Sequence, residues 1–242
     1  MLARGLGTRM RRAESGTSLT PSQAAAADSG LKGMLPFDRP FLDYILSGLA
    51  DAGLTEVCLV IGPEHDAVRR YYAGAGRPRR VALRFAIQER PLGTADAVRA
   101  AEACSGGASF VALNADNLYP TGALAALRSL PRAGLLGFRR SGLLRSGDIP
   151  ADRILQFALI ETAADGTLAR IVEKPDPGIA AGFGSDPLVS MNAWLLPPTI
   201  FDACRAIVPS DRGELELQDA VRYGMAEQGE RYRVIERDEA VL

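Results

Sequence analysis

The sequence predicts an α/β fold, a three-layer, Rossmann-like arrangement in which helices flank a mixed, mostly parallel sheet. Short apolar runs typical of buried strands alternate along the chain with helix-length segments. Strands that are joined by helices pair in parallel, with right-handed crossovers and helices on both faces of the sheet. The 242 residues are 47% hydrophobic and contain no linker-like stretch, so we expect a single domain over residues 1–242.

The first half of the chain is predicted to alternate helices and strands. Apolar residues recur at helical spacing between Pro40 and Gly53, and these two residue types favour the start and the end of a helix. The continuous apolar run at 57–61 ends at a Gly-Pro pair, which is typical of a buried strand. Further along, we expect helices at 67–72, 94–104 and 123–130 and strands at 81–87 and 110–113.

The second half is richer in strands. We expect strands at 135–139, 155–161, 168–172 and 188–196, and helices at 198–207 and 215–227. Ahead of the first helix, residues 11–31 are small and polar and have no apolar period. This composition predicts a long mobile loop at about 11–31.

Composition excludes several classes of function. A formal net charge of −1 gives no general attraction to nucleic acid or to an anionic membrane, and no run approaches the ~18 apolar residues of a membrane-spanning helix. The single histidine, His65, excludes a multi-histidine zinc site, and we expect it to cap a helix or lie at the surface. The three cysteines lack metal-ligand spacing and are expected to be buried thiols of a reducing compartment, which favours the cytoplasm.

Lysine is rare in this chain. Of the 28 basic residues, 26 are arginines, and Lys32 and Lys174 are the two lysines. A lysine ammonium is a compact point charge that suits a single phosphate oxygen, whereas the planar guanidinium of arginine suits bidentate partners. An isolated lysine is most often a solvated surface charge. The flanking residues, at 31–36 and 172–175, instead favour phosphate binding at both positions.

The N-terminal segment carries a candidate phosphate-binding motif. Gly5 and Gly7 would let main-chain N–H groups approach an anion closely, Thr8 adds a hydroxyl donor and Arg9 adds positive charge. The motif is not a dinucleotide-binding fingerprint, since Met10 occupies the place of the third glycine, and no Gly-Lys-Ser/Thr follows that would make a P-loop. By itself the motif is equally compatible with a simple turn.

Two further candidates follow predicted strands, at the sheet edge where open parallel sheets bind ligands. Gln88 opens a loop that contains a proline and Gly93, and a plain loop explains these two residues but not an amide that could hydrogen-bond a planar base. Asp116 follows the strand at 110–113, where its carboxylate suits Mg²⁺, an ion that takes few protein oxygens beside substrate phosphates. The alternative for this aspartate is a cap or a turn.

Taken together, these motifs resemble those of the sugar-1-phosphate nucleotidyltransferases, the nucleotide-sugar pyrophosphorylases. The resemblance runs in family order through 5–9, 32–36, 88–97, 114–116 and 173–175, and continues more weakly through 190–192 and 213–215. It implies the fold of the nucleotide-diphospho-sugar transferases and the transfer of NMP from an NTP to a sugar-1-phosphate, with release of pyrophosphate. The Gln88 loop resembles that of enzymes that read a pyrimidine, which favours UTP or dTTP over GTP.

The resemblance also implies a role for each matching residue. The nucleotide would be held by Leu2, Ala3, Gly5, Gly7, Thr8, Gln88, Gly93 and Thr94. The catalytic residues would be Arg9, Lys32 and Asp116, in which the two cations counter charge on the leaving pyrophosphate and the aspartate holds Mg²⁺. The sugar phosphate would be bound by Glu173, Lys174 and Asn192, with the lysine on the phosphate. The expected partners are therefore an NTP and a sugar-1-phosphate, without nucleic acid or membrane, and a homo-oligomer stays open.

The sequence departs from the family pattern at both ends. Only Met1, Leu2 and Ala3 precede the glycine motif, and at ~3.3 Å per residue such a truncated first strand is too short to fill a central position in a sheet. Either the start lies upstream or the fold tolerates a short strand. Arg4 replaces a small residue, where we expect it to add bulk and charge beside the nucleotide. The family's C-terminal Trp-x-Asp-x-Gly-Thr segment, which supplies a second metal ligand, is missing, and Asp238 is the candidate to replace it.

Three alternative functions compete with the predicted transferase activity. A non-catalytic regulatory relative would keep the nucleotide and sugar-phosphate pocket without the second metal ligand. A mannose-1-phosphate guanylyltransferase would use GTP in place of a pyrimidine nucleotide. A Rossmann-type oxidoreductase is disfavoured by Met10 and by the lack of a clear ribose-binding acid.

Overall fold

The computed structural model describes residues 1–4, 34, 38–145 and 149–242. The loop predicted at 11–31 lies outside the described residues, and so do the predicted site residues Gly5, Gly7, Thr8, Arg9 and Lys32. The roles assigned to those residues therefore stay predictions.

Helices and strands alternate through the first half, and strands are more frequent in the second, as the sequence predicts. The helices are α1 (Phe41–Asp51), α2 (Asp66–Ala73), α3 (Thr94–Ala100), α4 (Glu102–Ser105), α5 (Thr121–Arg128), α6 (Arg140–Arg145), α7 (Pro177–Ala181), α8 (Ile200–Ala206) and α9 (Leu217–Glu227), with a 3₁₀ helix at Ala151–Gln156. The strands are β1 (Glu56–Ile61), β2 (Ala82–Ile87), β3 (Phe110–Ala112), β4 (Gly134–Arg139), β5 (Ala158–Thr162), β6 (Leu168–Val172), β7 (Leu188–Leu196) and β8 (Arg233–Arg237).

The N-terminal residues occupy a central position in the sheet, which agrees with the alternative that the fold tolerates a short first strand. Leu2 makes parallel bridges to Val60 on one side and to Asn114 on the other. The main-chain N–H of Leu2 donates to the Leu113 carbonyl at 2.7 Å, and that of Ala3 donates to the Val60 carbonyl at 2.9 Å. Since neighbours are present on both sides, even this short segment satisfies its main-chain groups and joins β1–β2 to the rest of the sheet.

Strand β7 organises the remainder of the sheet. One edge of β7 pairs with β4, and β4 pairs in parallel with β8. The other edge of β7 is shared, because β3 pairs with 194–196 and β5 pairs with 188–190. Residues 191–193 on that edge, which we call the β7 gap, pair with neither strand. Among the described strands, every antiparallel pair includes β5, β6 or β7, so the sheet is mixed, as predicted.

Helices cover both faces of the sheet, which confirms the three layers. The alternating side chains of β7 separate the two faces: Met191 and Leu195 pack in one apolar cluster, and Trp194 packs in the other. The first cluster contains the apolar faces of α1 and α5, and the second contains those of α8 and α9. This division follows from the period of two along a strand, which sends successive side chains to opposite faces.

Four elements differ from the sequence-based prediction. The helix predicted at 94–104 is broken at Ala101, and the strand predicted to begin at 155 begins at Ala158 because the preceding residues form the 3₁₀ helix. Strand β8 was not predicted, since its arginines and glutamate hide the apolar alternation at this exposed edge. The residues of α6 were also left unassigned by the sequence pattern, since only Gly142 and Leu143 of that helix are buried.

Candidate functional site

The carboxyl ends of several strands converge on the β7 gap. Residues that follow β3 reach it from one side, since the Tyr119 hydroxyl donates to the Met191 carbonyl at 2.6 Å and the Asn117 amide donates to the same oxygen at 3.3 Å. Strand β5 extends away from the gap and β6 returns antiparallel to it, so that Val172 lies opposite Leu159. Glu173 and Lys174 therefore leave the sheet at the end of β6 that faces the gap.

Gln88 is buried at the carboxyl end of β2, with 3% of its surface exposed. Its Nε2 donates to the Gly93 carbonyl at 3.1 Å and to Asp96 Oδ2 at 2.9 Å. Both partners are acceptors, which fixes the orientation of the amide and uses both of its N–H donors. Oε1 has no hydrogen-bond partner among the described residues, so the group left for a ligand is an acceptor.

Gly93 has a structural reason to be glycine. Its φ is +119°, a conformation that L-residues rarely adopt, and an added Cβ would lie 2.5 Å from the Leu215 carbonyl oxygen. The main chain of Leu215 forms hydrogen bonds with residues on either side of Gly93. Its N–H donates to the Leu92 carbonyl at 2.7 Å, and its carbonyl accepts from the Ala95 N–H at 2.8 Å. Thr94 Oγ1 accepts from the Leu217 N–H at 2.8 Å. The loop after Gln88 is thus fastened to the start of α9.

Asn192 lies in the β7 gap and has a left-handed backbone, with φ of +57°. Its Oδ1 accepts from Gln218 Nε2 at 2.9 Å and from Trp194 Nε1 at 3.4 Å. Gln218 is 2% exposed, and its Oε1 is a buried acceptor without a partner in the described part of the chain. Together with the Leu215 bonds, these contacts tie the Gln88 loop to the predicted sugar contact Asn192 through a single segment, 215–218.

Glu173 and Lys174 form a strained and charged corner. Lys174 has φ of +43°, and its Nζ lies 4.0 Å from Glu173 Oε1, with 38% of the lysine side chain exposed. Burial, and next the negative charge of Glu216, raise the pKa of Glu173 to about 7, although Lys174 and Arg212 oppose the shift. A carboxyl group in this environment is poised between its neutral and charged forms near neutral pH.

Arg212 and Glu216 belong to the same corner, and the sequence did not single them out. Arg212 Nη2 lies 2.6 Å from Glu216 Oε1, and the glutamate is buried. The neighbouring Glu216 raises the pKa of Arg212, chiefly by this hydrogen bond. Their spacing of four residues is typical of an ordinary surface pair, so the sequence carried no signal that they adjoin Glu173.

Asp116 is exposed beyond the end of β3, in the segment that reaches the β7 gap through Asn117 and Tyr119. In the described residues, no group of three or more His, Cys, Asp or Glu side chains could hold a metal ion by itself. Asp238, the candidate second ligand, is instead paired with Arg145 at 2.8 Å. A single exposed carboxylate still fits Mg²⁺, because this ion is commonly held by one or two carboxylates together with substrate phosphates.

The charge of Arg4 is paired with Glu64, and the expected place of this side chain beside the nucleotide stays a prediction. Its guanidinium approaches Glu64 at two points, with Nε–Oε1 and Nη2–Oε2 distances of 3.2 Å each, and Nη1 donates to the Gln88 carbonyl. The side chain is only 9% exposed. The bulk is therefore turned towards the ends of β1 and β2, where it braces the main chain of Gln88.

The histidine and the cysteines also differ in part from expectation. His65 precedes α2 at the cap position but is 3% exposed, and its Nδ1 accepts from the Gly62 N–H at 3.0 Å. It therefore stabilises the turn after β1 and is not at the surface. All three thiols are free, but only Cys204 is buried, while Cys58 and Cys104 are partly exposed.

Leu2 and Ala3 lie in the central strand described above, next to the ends of β1 and β3. Their predicted contact with nucleotide stays a prediction, as do the ligand roles of Gln88, Gly93, Thr94, Asp116, Glu173, Lys174 and Asn192. Within the described residues, no helix is long and apolar enough to cross a membrane.

Known proteins resemble this chain in both sequence and fold. The glucose-1-phosphate thymidylyltransferase of Streptomyces antibioticus is 30% identical over 229 residues, which are 92% of this chain and 56% of that protein. The low-salt glycan biosynthesis nucleotidyltransferase Agl11 of Haloferax volcanii is 27% identical over 202 residues, which are 80% of this chain and 51% of that protein. The chain thus spans about half the length of these relatives.

A solved structure of UDP-glucose pyrophosphorylase complexed with UDP-glucose matches with a TM-score of 0.72 and 18% identity, covering 97% of this chain and 88% of that one. At this identity the likeness concerns the fold, and it confirms the predicted fold class. The model of the family described as nucleotidyl transferase matches residues 27–240. The chain therefore belongs to the nucleotidyl transferase family, as the order of its motifs predicted.

Proposed function

We propose that this protein transfers NMP from an NTP to a sugar-1-phosphate, giving an NDP-sugar and pyrophosphate. The observation that carries the proposal is the segment 215–218. It fastens the Gln88 loop by the Leu215 hydrogen bonds and holds Asn192 in the β7 gap by Gln218. A base-recognition residue and a sugar-binding residue thus belong to one hydrogen-bonded frame, and Asp116 and Lys174 lie in the segments that follow β3 and β6 near the β7 gap.

The hydrogen bonds of the Gln88 side chain favour a base that donates an N–H. Its own N–H donors are used by Gly93 and Asp96, so a base must meet the Oε1 acceptor. Uracil and thymine offer their N3–H there, whereas the corresponding ring nitrogen of cytosine is an acceptor and would leave Oε1 unpaired. The Gly93 N–H, which has no partner among the described residues, is a second donor for a base carbonyl. UTP and dTTP are the proposed substrates, and GTP, which also offers an N–H, is the competing one.

The corner formed by Glu173 and Lys174 supports binding of a phosphorylated sugar. Lys174 carries an exposed ammonium beside a carboxyl group that is half neutral near pH 7, so an incoming phosphate meets less repulsion than it would from a fully charged glutamate. The carboxyl group itself can accept from, or donate to, a sugar hydroxyl. Arg212 adds a second cation to this corner.

Mg²⁺ fits the residues present, with Asp116 as the side chain that would hold it together with phosphate oxygens of the substrates. When bound, the ion would neutralise charge on the transferring phosphoryl group. Arg9 and Lys32 are proposed to counter the charge of the leaving pyrophosphate. The chemistry needs no nucleophile from the protein, since an oxygen of the sugar-1-phosphate attacks the α-phosphorus in line and pyrophosphate departs.

The proposed partners and location of the protein follow from this chemistry. The substrates are a nucleotide and a sugar phosphate, and neither nucleic acid nor a membrane is required as a partner. Three free cysteines and the use of an NTP support a location in the cytoplasm.

Incubation of the purified protein with each NTP, Mg²⁺ and a panel of sugar-1-phosphates tests the proposal, with released pyrophosphate as the readout. We expect release with UTP or dTTP and one class of sugar-1-phosphate, and none without Mg²⁺. The pairing of Asp238 with Arg145 supports the competing function, a regulatory relative without a second metal ligand. Saturable binding of both substrates without pyrophosphate release would favour that relative.

A further inference from the structure

A second cavity lies away from the β7 gap, between α1 and the loop that joins α2 to β2. Its volume is about 310 Å³, close to the lower limit of about 300 Å³ for small-molecule pockets. Four arginines line it: Arg39, Arg77, Arg79 and Arg80. Asp43 is the one acidic residue in the described lining.

The positive charges of the arginines that line this cavity outnumber the negative charge of its one lining aspartate. Both carboxylate oxygens of Asp43 accept from tyrosine hydroxyls, Oδ2 from Tyr71 and Oδ1 from Tyr72, each at 2.8 Å. Arg80 is paired outside the cavity lining, with Asp51 at 2.7 Å. The three other arginines have no ion pair among the described residues. Three guanidinium groups thus border a cavity whose carboxylate is already hydrogen-bonded.

The wall of the cavity is shaped by close packing. The Gly76 N–H donates to the Tyr71 carbonyl at 2.9 Å, and a Cβ on this glycine would overlap the Tyr71 ring. The Arg77 N–H donates to the Gly74 carbonyl at 3.1 Å, and the following residue is a proline, which confines Arg77 to an extended backbone. On the opposite side, the Arg39 guanidinium lies 4.3 Å from the centroid of the Tyr44 ring. These contacts restrain the loop and one of the three guanidinium groups before any ligand binds.

This cavity is separate from the proposed nucleotide site. Its loop leads into the amino end of β2, whereas Gln88 follows the carboxyl end of the same strand. A strand of six residues spans about 20 Å. A ligand held by Arg77 and Arg79 would therefore not share contacts with a base at Gln88.

We propose that this cavity is a second anion-binding site, which takes a small molecule through its phosphate or diphosphate group. Arginine forks match phosphate oxygens in pairs and form charge-assisted hydrogen bonds with them. The cavity accommodates a diphosphate. Three guanidinium groups have no ion pair among the described residues, and set against the single negative charge of Asp43 they leave a net positive charge for such an anion. The ligand could be a free inorganic anion or the diphosphate of a nucleotide-sugar, and the same arginines would recognise either.

Isothermal titration calorimetry on the whole chain tests the site, with inorganic phosphate, pyrophosphate and UDP-glucose as separate titrants. The test variant is Arg77→Ser with Arg79→Ser, and the control is Arg132→Ser with Arg153→Ser, which removes the same charge from two exposed arginines elsewhere. We expect the test variant to lose one binding event, with affinity lowered at least about tenfold per arginine, and the control to match the unaltered protein. The titrant that loses most affinity identifies the source of the anion.

A third variant, Gly76→Val, changes the wall without changing charge, and far-UV circular dichroism of every variant monitors folding. We expect Gly76→Val to weaken the same binding event that the Arg77→Ser, Arg79→Ser variant loses. The proposal is overturned if the Arg77→Ser, Arg79→Ser variant keeps the isotherms of the unaltered protein, or if the control loses as much binding. Failure of the proposed transferase activity would leave this result intact, because the readout is binding at a site remote from Gln88.

Discussion

The two halves of the candidate site are built in opposite ways. Around Gln88, the groups that hold the amide and its loop in place are paired: the side-chain N–H donors, the main chain at Leu215 and the Thr94 hydroxyl all have partners. Around Glu173, two residues have left-handed backbones, a carboxyl pKa is raised to about 7, and the buried Oε1 of Gln218 has no partner in the described residues. The first half is held in place by paired groups and leaves the Gln88 Oε1 and the Gly93 N–H for a ligand, whereas the second half holds backbone strain and a carboxyl group of shifted pKa.

Each half is suited to a different substrate. A planar base needs a fixed acceptor in a rigid frame, and such a frame costs little to form when each of its other groups is already paired. Left-handed non-glycine residues and a shifted pKa cost stability, and they cluster at sites where a ligand compensates them. We therefore expect substitutions in the second half to act on ligand use and on pH dependence, and those near Gln88 to act on base selection.

Asp116, which follows β3, should show the largest effect. Asp116→Asn is expected to lower the rate of pyrophosphate release about 1,000-fold, since the amide no longer supplies the negative charge that holds Mg²⁺. Steady-state assays across a range of Mg²⁺ concentrations measure it, with the exposed Asp152→Asn as the control. Near-normal turnover in Asp116→Asn would remove the aspartate from the metal site.

Lys174→Ala should affect the sugar-phosphate half alone. We expect the KM for the sugar-1-phosphate to rise about 100-fold, because a charge-assisted hydrogen bond to phosphate is lost, while the KM for the NTP changes little. Initial rates with each substrate varied in turn separate the two constants. An equal rise in both KM values would contradict the division of the site into halves.

Glu173→Gln should change the pH dependence of stability. The pKa of Glu173 is raised to about 7, so the folded chain keeps a proton that the unfolded chain releases, and this group lowers stability as pH rises from about 4.5 to about 7. Glutamine is neutral throughout, so the variant should be more stable than the unaltered protein by about 3 kcal/mol above pH 7 and equal to it below pH 4.5. Urea unfolding at pH 4 and pH 8 measures the difference. Identical pH profiles for the two proteins would mean that Glu173 is not shifted.

Gln88→Leu should show the smallest effect on rate. The substitution keeps the volume but removes the Oε1 acceptor, so we expect the KM for UTP to rise about tenfold and the preference for UTP over CTP to fall. Kinetics with the two nucleotides at fixed sugar-1-phosphate measure both changes. If CTP remained as poor a substrate as before, another group would select the base.

Much of the fold could be predicted from the sequence because its buried strands and amphipathic helices have clear periods. Helix α1 and strands β6 and β7 agree closely with prediction, since their apolar residues face a core on defined sides. Strand β8 could not be predicted, because its residues are charged and its place beside β4 depends on a pairing distant in sequence. The central position of the N-terminal residues could not be predicted for the same reason, since it depends on neighbours at Val60 and Leu113.

In the candidate site, the sequence predicted which residue types carry the chemistry, but it did not predict which of them are neighbours in space. Residue types such as Gln88, Asp116 and the Glu-Lys pair carry their chemical capacity locally, and their position after predicted strands places them at one edge. That Arg212 and Glu216 adjoin Glu173, and that Glu64 neutralises Arg4, required the folded chain, because these contacts join residues 39 or more positions apart.

Periodicity and residue type are properties of short segments, so the α/β class, the order of the motifs and the family of the chain could be predicted before any contact was known. Four features depend on the folded chain: the gap in β7, the direction in which the Gln88 amide points, the raised pKa of Glu173 and the arginine-lined cavity beside α1. The physical reason is that burial, charge neighbours and hydrogen-bond partners are set by distances in space, which strand pairing establishes between residues far apart in the chain.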